Sequence, residues 1–173
     1  MAKLAELANR GLIWVDSGVG NWAYDLRAGG ERIGYMHFET ESGSRATGEL
    51  DGRLLIFESH DRTPPYVVIL EEGCQEPLAT FTQRWTGGGL VRFKSGARYC
   101  WNSSHIWSTT YCFRREGQKA SVCVSQEAPS RKGSRVTVCC DAAGLPETPV
   151  LVLLGWFLEI LVFERLAETS ITL

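Results

Sequence analysis

Residues that could carry out chemistry are thinly spread along this chain of 173 residues. The three histidines, His37, His60 and His105, lie far apart in sequence, and no two share the i, i+4 spacing of a helical metal site. The six cysteines form no C-x-x-C motif and no Cys/His set with zinc spacing; they are Cys74, Cys100, Cys112, Cys123, Cys139 and Cys140. The sequence therefore predicts free thiols and a protein with no catalytic residues, metal or cofactor.

The segment Gly18–Ala23 formally matches the G-x-G-x-x-A pattern of dinucleotide-binding loops. Such a site needs a helix to begin at this point, because the helix N-terminus holds the pyrophosphate. The residues that follow alternate instead, with Trp22, Tyr24 and Leu26 on one side, which is the period of a strand. The match therefore does not predict a nucleotide cofactor.

Charge is the one property whose pattern favours a binding function. Residues 1–80 carry seven Lys or Arg and thirteen Asp or Glu, whereas residues 81–140 carry ten Lys or Arg and two Asp or Glu. Because consecutive antiparallel strands are usually neighbours, the second segment is expected to form one basic side of the fold. Its basic residues, with Trp85, Trp101 and Trp107 among them in sequence, are Arg84, Arg92, Lys94, Arg98, Arg114, Arg115, Lys119, Arg131, Lys132 and Arg135.

A basic side suits an anionic partner, and lipid head groups are the partner that we expect, since each basic residue near an anionic membrane contributes about 1 kcal/mol. The net charge of -2 makes nucleic acid a less favoured partner. The alternative is a solvated exterior whose charges pair with acidic neighbours across strands. The candidate contacts are Arg131, Lys132 and Arg135 in the loop Ser130–Arg135, together with Arg92 and Lys94.

These residues must be positioned by strands. From about residue 11 to 140, short apolar runs alternate with turn signals about every 8 to 12 residues, a pattern typical of an antiparallel sandwich or barrel. Turns are predicted at Ala28–Gly30, Asp51–Gly52 and Glu116–Gly117, among others, because Gly supplies the backbone angles that they need. About twelve strands and no internal helix result. So many short strands favour a closed barrel, which removes exposed sheet edges.

The C-terminal segment Pro149–Leu166 is predicted to be a helix. Thr148 is a candidate N-cap, and the proline that follows suits the first helical position. The run from Val150 to Phe163 is apolar apart from Gly155 and Glu159. A helix that is apolar on every side must be buried, either in lipid or in protein.

Length distinguishes these two environments for the helix. At 1.5 Å per residue the apolar run reaches roughly 21 Å, short of the roughly 30 Å hydrocarbon core of a bilayer, so a membrane tail anchor is the less favoured alternative. A barrel of about twelve strands is too wide to be filled by its own side chains, and we expect the helix to fill it. Trp156 and Phe157 are then core residues. Glu159 needs a buried partner, for which an Arg, Trp or Tyr on a strand is expected.

Twelve short strands followed by PVLVLLGWFLEILVFERL resemble the tubby C-terminal-like superfamily, which includes LURP-one-related proteins and phospholipid scramblases. The resemblance covers nearly the whole chain, from about Gly11 to Leu166, within a single domain of residues 1–173, and rests on strand count, strand spacing and the terminal segment. It implies a closed barrel with the helix threaded through it. It also implies a non-catalytic binding or scaffold role, since some members bind phosphoinositides or act at membranes. No lipid-binding or calcium-binding motif of those members matches residue by residue.

A second resemblance is to lipocalins, whose Gly-x-Trp opening strand is similar to Gly20–Leu26. It implies an eight-strand barrel that carries a small apolar ligand and has an amphipathic helix packed outside. The helix predicted here has no polar face, which favours the first resemblance.

The N-terminal sequence MAKLAELANRG has no apolar core of the kind that a secretory signal requires. A cytoplasmic location is therefore expected, with peripheral association at a membrane if the basic side binds lipid. In that compartment, the cysteines are expected to stay reduced.

Overall fold

The computed structural model describes residues 3–18, 20, 22–39, 43–85, 87–103, 110–117, 123–128 and 133–171. The described strands are β1 (Leu12–Asp16), β2 (Ala23–Ala28), β3 (Glu31–Phe38), β4 (Arg45–Leu50), β5 (Arg53–His60), β6 (Tyr66–Glu71), β7 (Ala79–Gln83), β8 (Gly89–Phe93), β9 (Arg98–Ser103), β10 (Thr110–Arg115), β11 (Cys123–Glu127) and β12 (Ser134–Val138). The described helices are α1 (Lys3–Leu7), which a turn of 3-10 helix at Ala8–Arg10 continues, α2 (Cys140–Ala143) and α3 (Thr148–Ile171).

The sheet closes on itself because β1 pairs with both β2 and β12. Leu12 lies opposite Ala28 on β2 and opposite Val136 on β12, and the remaining pairings join strands that follow one another in sequence. Buried and exposed residues alternate along β12, so that one face of the strand points into the barrel. The prediction of a closed antiparallel barrel of about twelve strands is confirmed, and the eight-strand architecture of lipocalins is wrong for this chain.

The turn between β4 and β5 shows how short hairpins are closed. Asp51 and Gly52 occupy it with φ angles of 54° and 74°, the left-handed pair that a two-residue hairpin requires. The Asp51 carboxylate accepts a hydrogen bond of 2.9 Å from the backbone N–H of Leu4, which ties α1 to this end of the barrel.

Two short helices differ from the sequence prediction, which had none before α3. The segment Lys3–Leu7 consists mainly of good helix formers, and Leu4 gains full burial at the barrel end. Cys140–Ala143 forms a single turn in which Ala142 is buried. Both elements are too short to show a helical period in the sequence.

α3 lies inside the barrel, along its axis. Residues 150–161 are all buried, although they cover every side of a helix. The Phe157 ring stacks on Phe38 of β3 and on Phe57 of β5, with centroid distances of 5.6 and 5.4 Å. The Trp156 ring stacks on Trp14 of β1 at 5.5 Å, on another side of the helix. The two residues are therefore core residues, as predicted from the sequence.

Small residues let the helix and the sheet approach closely. A Cβ atom at Gly48 of β4 would lie 3.2 Å from the Leu153 side chain of α3, closer than ordinary van der Waals contact. On the opposite wall, a Cβ atom at Gly155 of α3 would lie 3.4 Å from the ring of Phe113 on β10. Together with Phe157 and Trp156, these contacts surround α3 with strands from both halves of the barrel.

The start of α3 differs in detail from the predicted capping. The Thr148 hydroxyl donates a hydrogen bond to the carbonyl oxygen of Ala142, so it joins α3 to α2 instead of accepting a helix N–H. The carbonyl oxygen of Glu147 accepts the N–H of Leu151 at 3.0 Å, which places Glu147 at the head of the helix. We call the barrel end where α3 begins the lower end.

The other end of α3 lies at Ile171, five residues beyond the predicted end at Leu166. The apolar run stops earlier, but Ala167 and Glu168 favour helix and no Gly or Pro interrupts the chain. No helix in the described part of the chain is long and apolar enough to cross a membrane.

Glu159 lies on α3 among apolar residues and is 4% exposed. Its Oε1 atom has no hydrogen-bond partner among the described residues, so the expected pairing of this oxygen with a strand Arg, Trp or Tyr is not observed. Burial raises the pKa of Glu159 from 4.5 to about 7. The strand side chains around α3 are mainly apolar, because they fill the wide barrel. They exclude water from Glu159, and this disfavours its charged form.

The substitution Phe157→Ala tests the role of α3 as the core. It removes a ring stacked between two strands, and we expect the free energy of unfolding to fall by about 3 to 5 kcal/mol. Urea denaturation measures this loss. Trp85→Ala is the matched control, because Trp85 is 83% exposed and its removal should change stability by less than about 0.5 kcal/mol. Equal effects of the two substitutions would contradict a core role for Phe157.

Glu159 predicts a pH dependence of stability. Its pKa is higher in the folded protein, so its contribution is most favourable below pH 4.5 and is lost as the pH rises through about 7. The free energy of unfolding of the wild type should fall by about 3 kcal/mol relative to Glu159→Gln over this range. Urea denaturation at several pH values measures the difference, with Glu72→Gln at an exposed carboxylate as the control. Parallel profiles for wild type and Glu159→Gln would show that Glu159 is solvated.

Candidate anion-binding face

One side of the barrel carries arginines that point away from the core. Successive side chains of a strand point to opposite faces, so the inward positions here hold Val91, Tyr99, Phe113 and Val136, which are buried. The exposed residues beside them are Arg92 on β8, Arg98 on β9, Arg114 on β10 and Arg135 on β12. These four residues, with Arg84 after β7 and Lys94 after β8, are the basic face.

The strand register places Arg92, Arg98 and Arg114 close together. Arg92 lies opposite Arg98 on the adjacent strand, and Arg114 lies opposite Cys100, two residues further along β9. With strands about 4.8 Å apart and about 3.3 Å per residue, the backbones of Arg92 and Arg114 are roughly 12 Å apart. Arg135 lies two strands beyond Arg114 and about four residues further along, so their backbones are roughly 16 Å apart. Arg92 and Arg114 therefore form one patch, and Arg135 lies apart from it.

Part of the basic face is neutralised by carboxylates. The Glu116 carboxylate lies 3.1 Å from Nε of Arg98 and 3.9 Å from Nη2 of Arg84. Lys94 pairs with Glu76, and this hydrogen bond lowers the pKa of Glu76. For these three cations, the structure agrees with the alternative of a solvated exterior with paired charges.

Arg92, Arg114 and Arg135 are the cations of the basic face that are not paired with a carboxylate of the described residues. All three are exposed, and none forms an ion pair with another described residue. The opposite side of the barrel shows the contrast, because each arginine on β2, β3, β4 and β5 lies within 4.0 Å of a carboxylate; these are Arg27, Arg32, Arg45 and Arg53. The basic face therefore keeps uncompensated positive charge.

Trp85 follows Arg84 directly and is 83% exposed, which makes it the exposed large hydrophobic side chain of the described residues. The aromatic residues of the neighbouring strands behave differently: Trp101 is 4% exposed and stacks on Tyr111 inside the barrel. A tryptophan in water beside arginines suits an interface between polar and apolar media.

Cys100 lies between the arginines of the basic face. Its thiol donates a hydrogen bond of 3.2 Å to Oε1 of Glu116. Burial, and after it the hydrogen bond and charge of Glu116, raises the pKa of the Cys100 thiol, whereas Arg84 lowers it. The thiol is therefore held in its protonated, weakly nucleophilic form.

The predicted site residues are only partly brought together. Arg92 and Lys94 lie at the lower end of β8, and Arg135 lies four strands away at the start of β12. Arg131 and Lys132 lie outside the described residues. Lys94 is paired, so the candidates that keep an uncompensated charge are Arg92 and Arg135.

Arg114 and Trp85 belong to the basic segment of the sequence but were not among the predicted contacts. Arg114 matters because no described carboxylate pairs with it, and Trp85 matters because its ring is exposed. Alternation along β10 gave a signal for Arg114, because it is flanked by the apolar Phe113. No sequence signal distinguished the exposed Trp85 from the buried Trp101.

Within the described part of the chain, no three His, Cys, Asp or Glu side chains are arranged to hold a metal ion.

The chain was compared with protein-family models, curated proteins and solved structures, and it matches none of them. A function is therefore inferred from the geometry of the chain itself.

The substitution Glu116→Gln tests the geometry around Cys100. It replaces the carboxylate acceptor with a neutral amide, which removes the negative charge that raises the pKa of the thiol, and it leaves Arg84 in place. We expect Cys100 to be alkylated by iodoacetamide at lower pH than in the wild type, as measured by mass spectrometry of the Cys100 peptide. Glu127→Gln, at an exposed position on β11, should leave the alkylation profile unchanged. An unchanged profile for Glu116→Gln would contradict the contact.

Proposed function

We propose that this barrel is a non-catalytic binding module that docks on an anionic lipid surface through its basic face. The observation that carries the proposal is that Arg92, Arg114 and Arg135 are exposed strand arginines without ion pairs, whereas the strand arginines of β2 to β5 are all paired with carboxylates. Trp85 supports it, since an exposed indole ring can insert among lipid head groups next to the arginines.

Lipid is favoured over single-stranded nucleic acid as the partner. Nucleic-acid binding needs exposed aromatic rings on which bases stack. On the strands of the basic face, the described residues Phe93, Tyr99, Trp101 and Phe113 are buried in the barrel, and the partly buried Tyr111 stacks on Trp101. A convex surface with arginines and one peripheral tryptophan is better suited to contact with lipid head groups than to the stacking of nucleic-acid bases.

We also propose that the chain is related to the tubby C-terminal-like superfamily, near its LURP-one-related and scramblase-like members. The support is architectural: a closed barrel of twelve strands surrounds a buried C-terminal helix, which is the arrangement that the resemblance implies. A cytoplasmic scaffold that associates with membranes through the basic face is the role consistent with it.

A carrier of a small apolar ligand is the other interpretation of the sequence. It needs an interior pocket of roughly 300 Å³ or more. α3 occupies the axis of this barrel, where such a ligand would lie, so no observation favours the carrier.

Neutralising the three unpaired arginines tests the proposal. The triple substitution of Arg92, Arg114 and Arg135 to Gln removes three charges worth about 1 kcal/mol each, so binding to vesicles containing phosphatidylserine should weaken by about 100-fold. Co-sedimentation with vesicles measures the affinity, and pure phosphatidylcholine vesicles give the charge-independent background. The melting temperature should be unchanged, since the three side chains are exposed.

The matched control replaces Arg10, Arg45 and Arg62, which are also exposed, with Gln. This variant has the same net charge as the test variant, but the changes lie outside the basic face. Equal losses in both variants would mean that only net charge matters and would refute a specific docking face. A third variant, Arg131 and Lys132 to Gln, measures the contribution of the predicted loop.

A further inference from the structure

A cavity of about 110 Å³ lies at the lower end of the barrel, beside the first turn of α3. Its walls come from α3 and the residues before it, from β5 and from the β7 and β8 region, and the lining residues are Arg53, Leu78, Phe93, Ser95, Pro146, Glu147 and Val150. Ligand pockets for drug-sized molecules have roughly 300 to 1,000 Å³, so this cavity has room for only a few atoms. Lys94 of the basic face lies between Phe93 and Ser95 of this lining, and it is paired with Glu76.

Glu147 is the unusual member of this lining. It is 8% exposed, and its Oε2 atom is fully buried without a hydrogen-bond partner among the described residues. A buried carboxylate oxygen without a donor is unfavourable, since desolvation is not compensated. Because Glu147 lines the cavity, a donor bound there can stabilise this carboxylate.

Arg53 lies in the same lining, but its Nε and Nη1 groups donate to acceptors other than Glu147. Its Nε donates to Glu71 at 3.1 Å, and its Nη1 donates to the carbonyl oxygen of Pro146 at 2.9 Å. The Glu71 carboxylate also balances the charge of the guanidinium. No ion pair joins Arg53 to Glu147 among the described residues, so the negative charge in the cavity lacks a direct counter-ion.

Tyr99 supplies a second unpartnered polar atom in this region. It is 1% exposed, and its hydroxyl group forms no hydrogen bond with any part of the chain that is described. Burial, and after it the charge of Glu147, raises the pKa of Tyr99 to about 12, whereas Arg115 above the ring lowers it. The hydroxyl therefore stays neutral and within the field of the Glu147 carboxylate.

We propose that this cavity binds a small primary ammonium ion with a short apolar body. The ammonium group donates to the Glu147 carboxylate, which lines the cavity, and provides the missing counter-charge. The apolar body packs on Leu78, Phe93 and Val150, which line the rest of the cavity. A divalent metal ion does not fit the same lining, because such ions need several oxygen ligands and Glu147 is the unpaired carboxylate here.

The test compares n-propylammonium with 1-propanol, a neutral molecule of nearly the same size and shape. We expect saturable binding of n-propylammonium to the full chain with a dissociation constant of about 1 mM, as is usual for so few atoms, and no saturable binding of 1-propanol. Chemical-shift changes in NMR spectra of the protein measure both. Equal binding of the two molecules, or no saturation by n-propylammonium below about 50 mM, would overturn the proposal.

Glu147→Gln locates the site, because it keeps the size of the side chain and removes its charge. The affinity for n-propylammonium should fall at least tenfold, whereas Asp141→Asn, at an exposed carboxylate on nearby α2, should leave it unchanged. Unchanged affinity in Glu147→Gln would refute the site. If this variant does not fold, the comparison of n-propylammonium with 1-propanol on the wild type still shows whether binding requires the ammonium charge.

An ammonium group can come from a free amine or from a lysine side chain. Nα-acetyl-lysine amide, titrated in parallel, distinguishes these sources. Tighter binding of n-propylammonium would identify a free amine, and tighter binding of the lysine derivative would identify a peptide lysine. In either case, a loss of this binding in Glu147→Gln supports the ammonium site.

Discussion

The packing of α3 along the barrel axis is the interaction on which the rest of this structure depends. A sheet of twelve strands encloses more space than its own side chains fill, and Trp156 and Phe157 supply the missing apolar volume. Because α3 follows all twelve strands in the sequence, the inward face of the strands has no apolar partner until this helix folds into it. The barrel and its helix are therefore one cooperative core.

This core contains polar atoms that lack partners among the described residues. Oε1 of Glu159 and the indole nitrogens of Trp14 and Trp156 are buried without hydrogen bonds, on α3 or against it. Each costs free energy that an apolar side chain of similar volume would not. Glu147 repeats the pattern at the lower end, where a cavity lies beside it. A carboxylate next to a cavity has a physical means of being satisfied, whereas Glu159 is relieved by taking up a proton.

The outer surface is divided by how its charges are compensated. On β2 to β5 the arginines have carboxylates within reach, so little field extends into solvent. On β8, β10 and β12, Arg92, Arg114 and Arg135 keep their charge, and Trp85 adds an exposed ring at the end of β7. A partner that is both anionic and apolar matches this combination, which is the physical character of a lipid surface.

The sequence by itself determined the twelve strands, the closed sheet and the buried helix, because alternation, Gly-rich turns and an apolar run without a polar face are local properties. Asp51–Gly52 is an example, since its two left-handed residues form the turn wherever the hairpin lies. Only the tertiary structure decided which charges are paired: Lys94 meets Glu76 and Arg98 meets Glu116, whereas Arg114 meets no described carboxylate. It also placed Thr148 against Ala142 and left Oε1 of Glu159 without a partner. Pairing and burial depend on distances between residues far apart in the chain, and no local pattern encodes them.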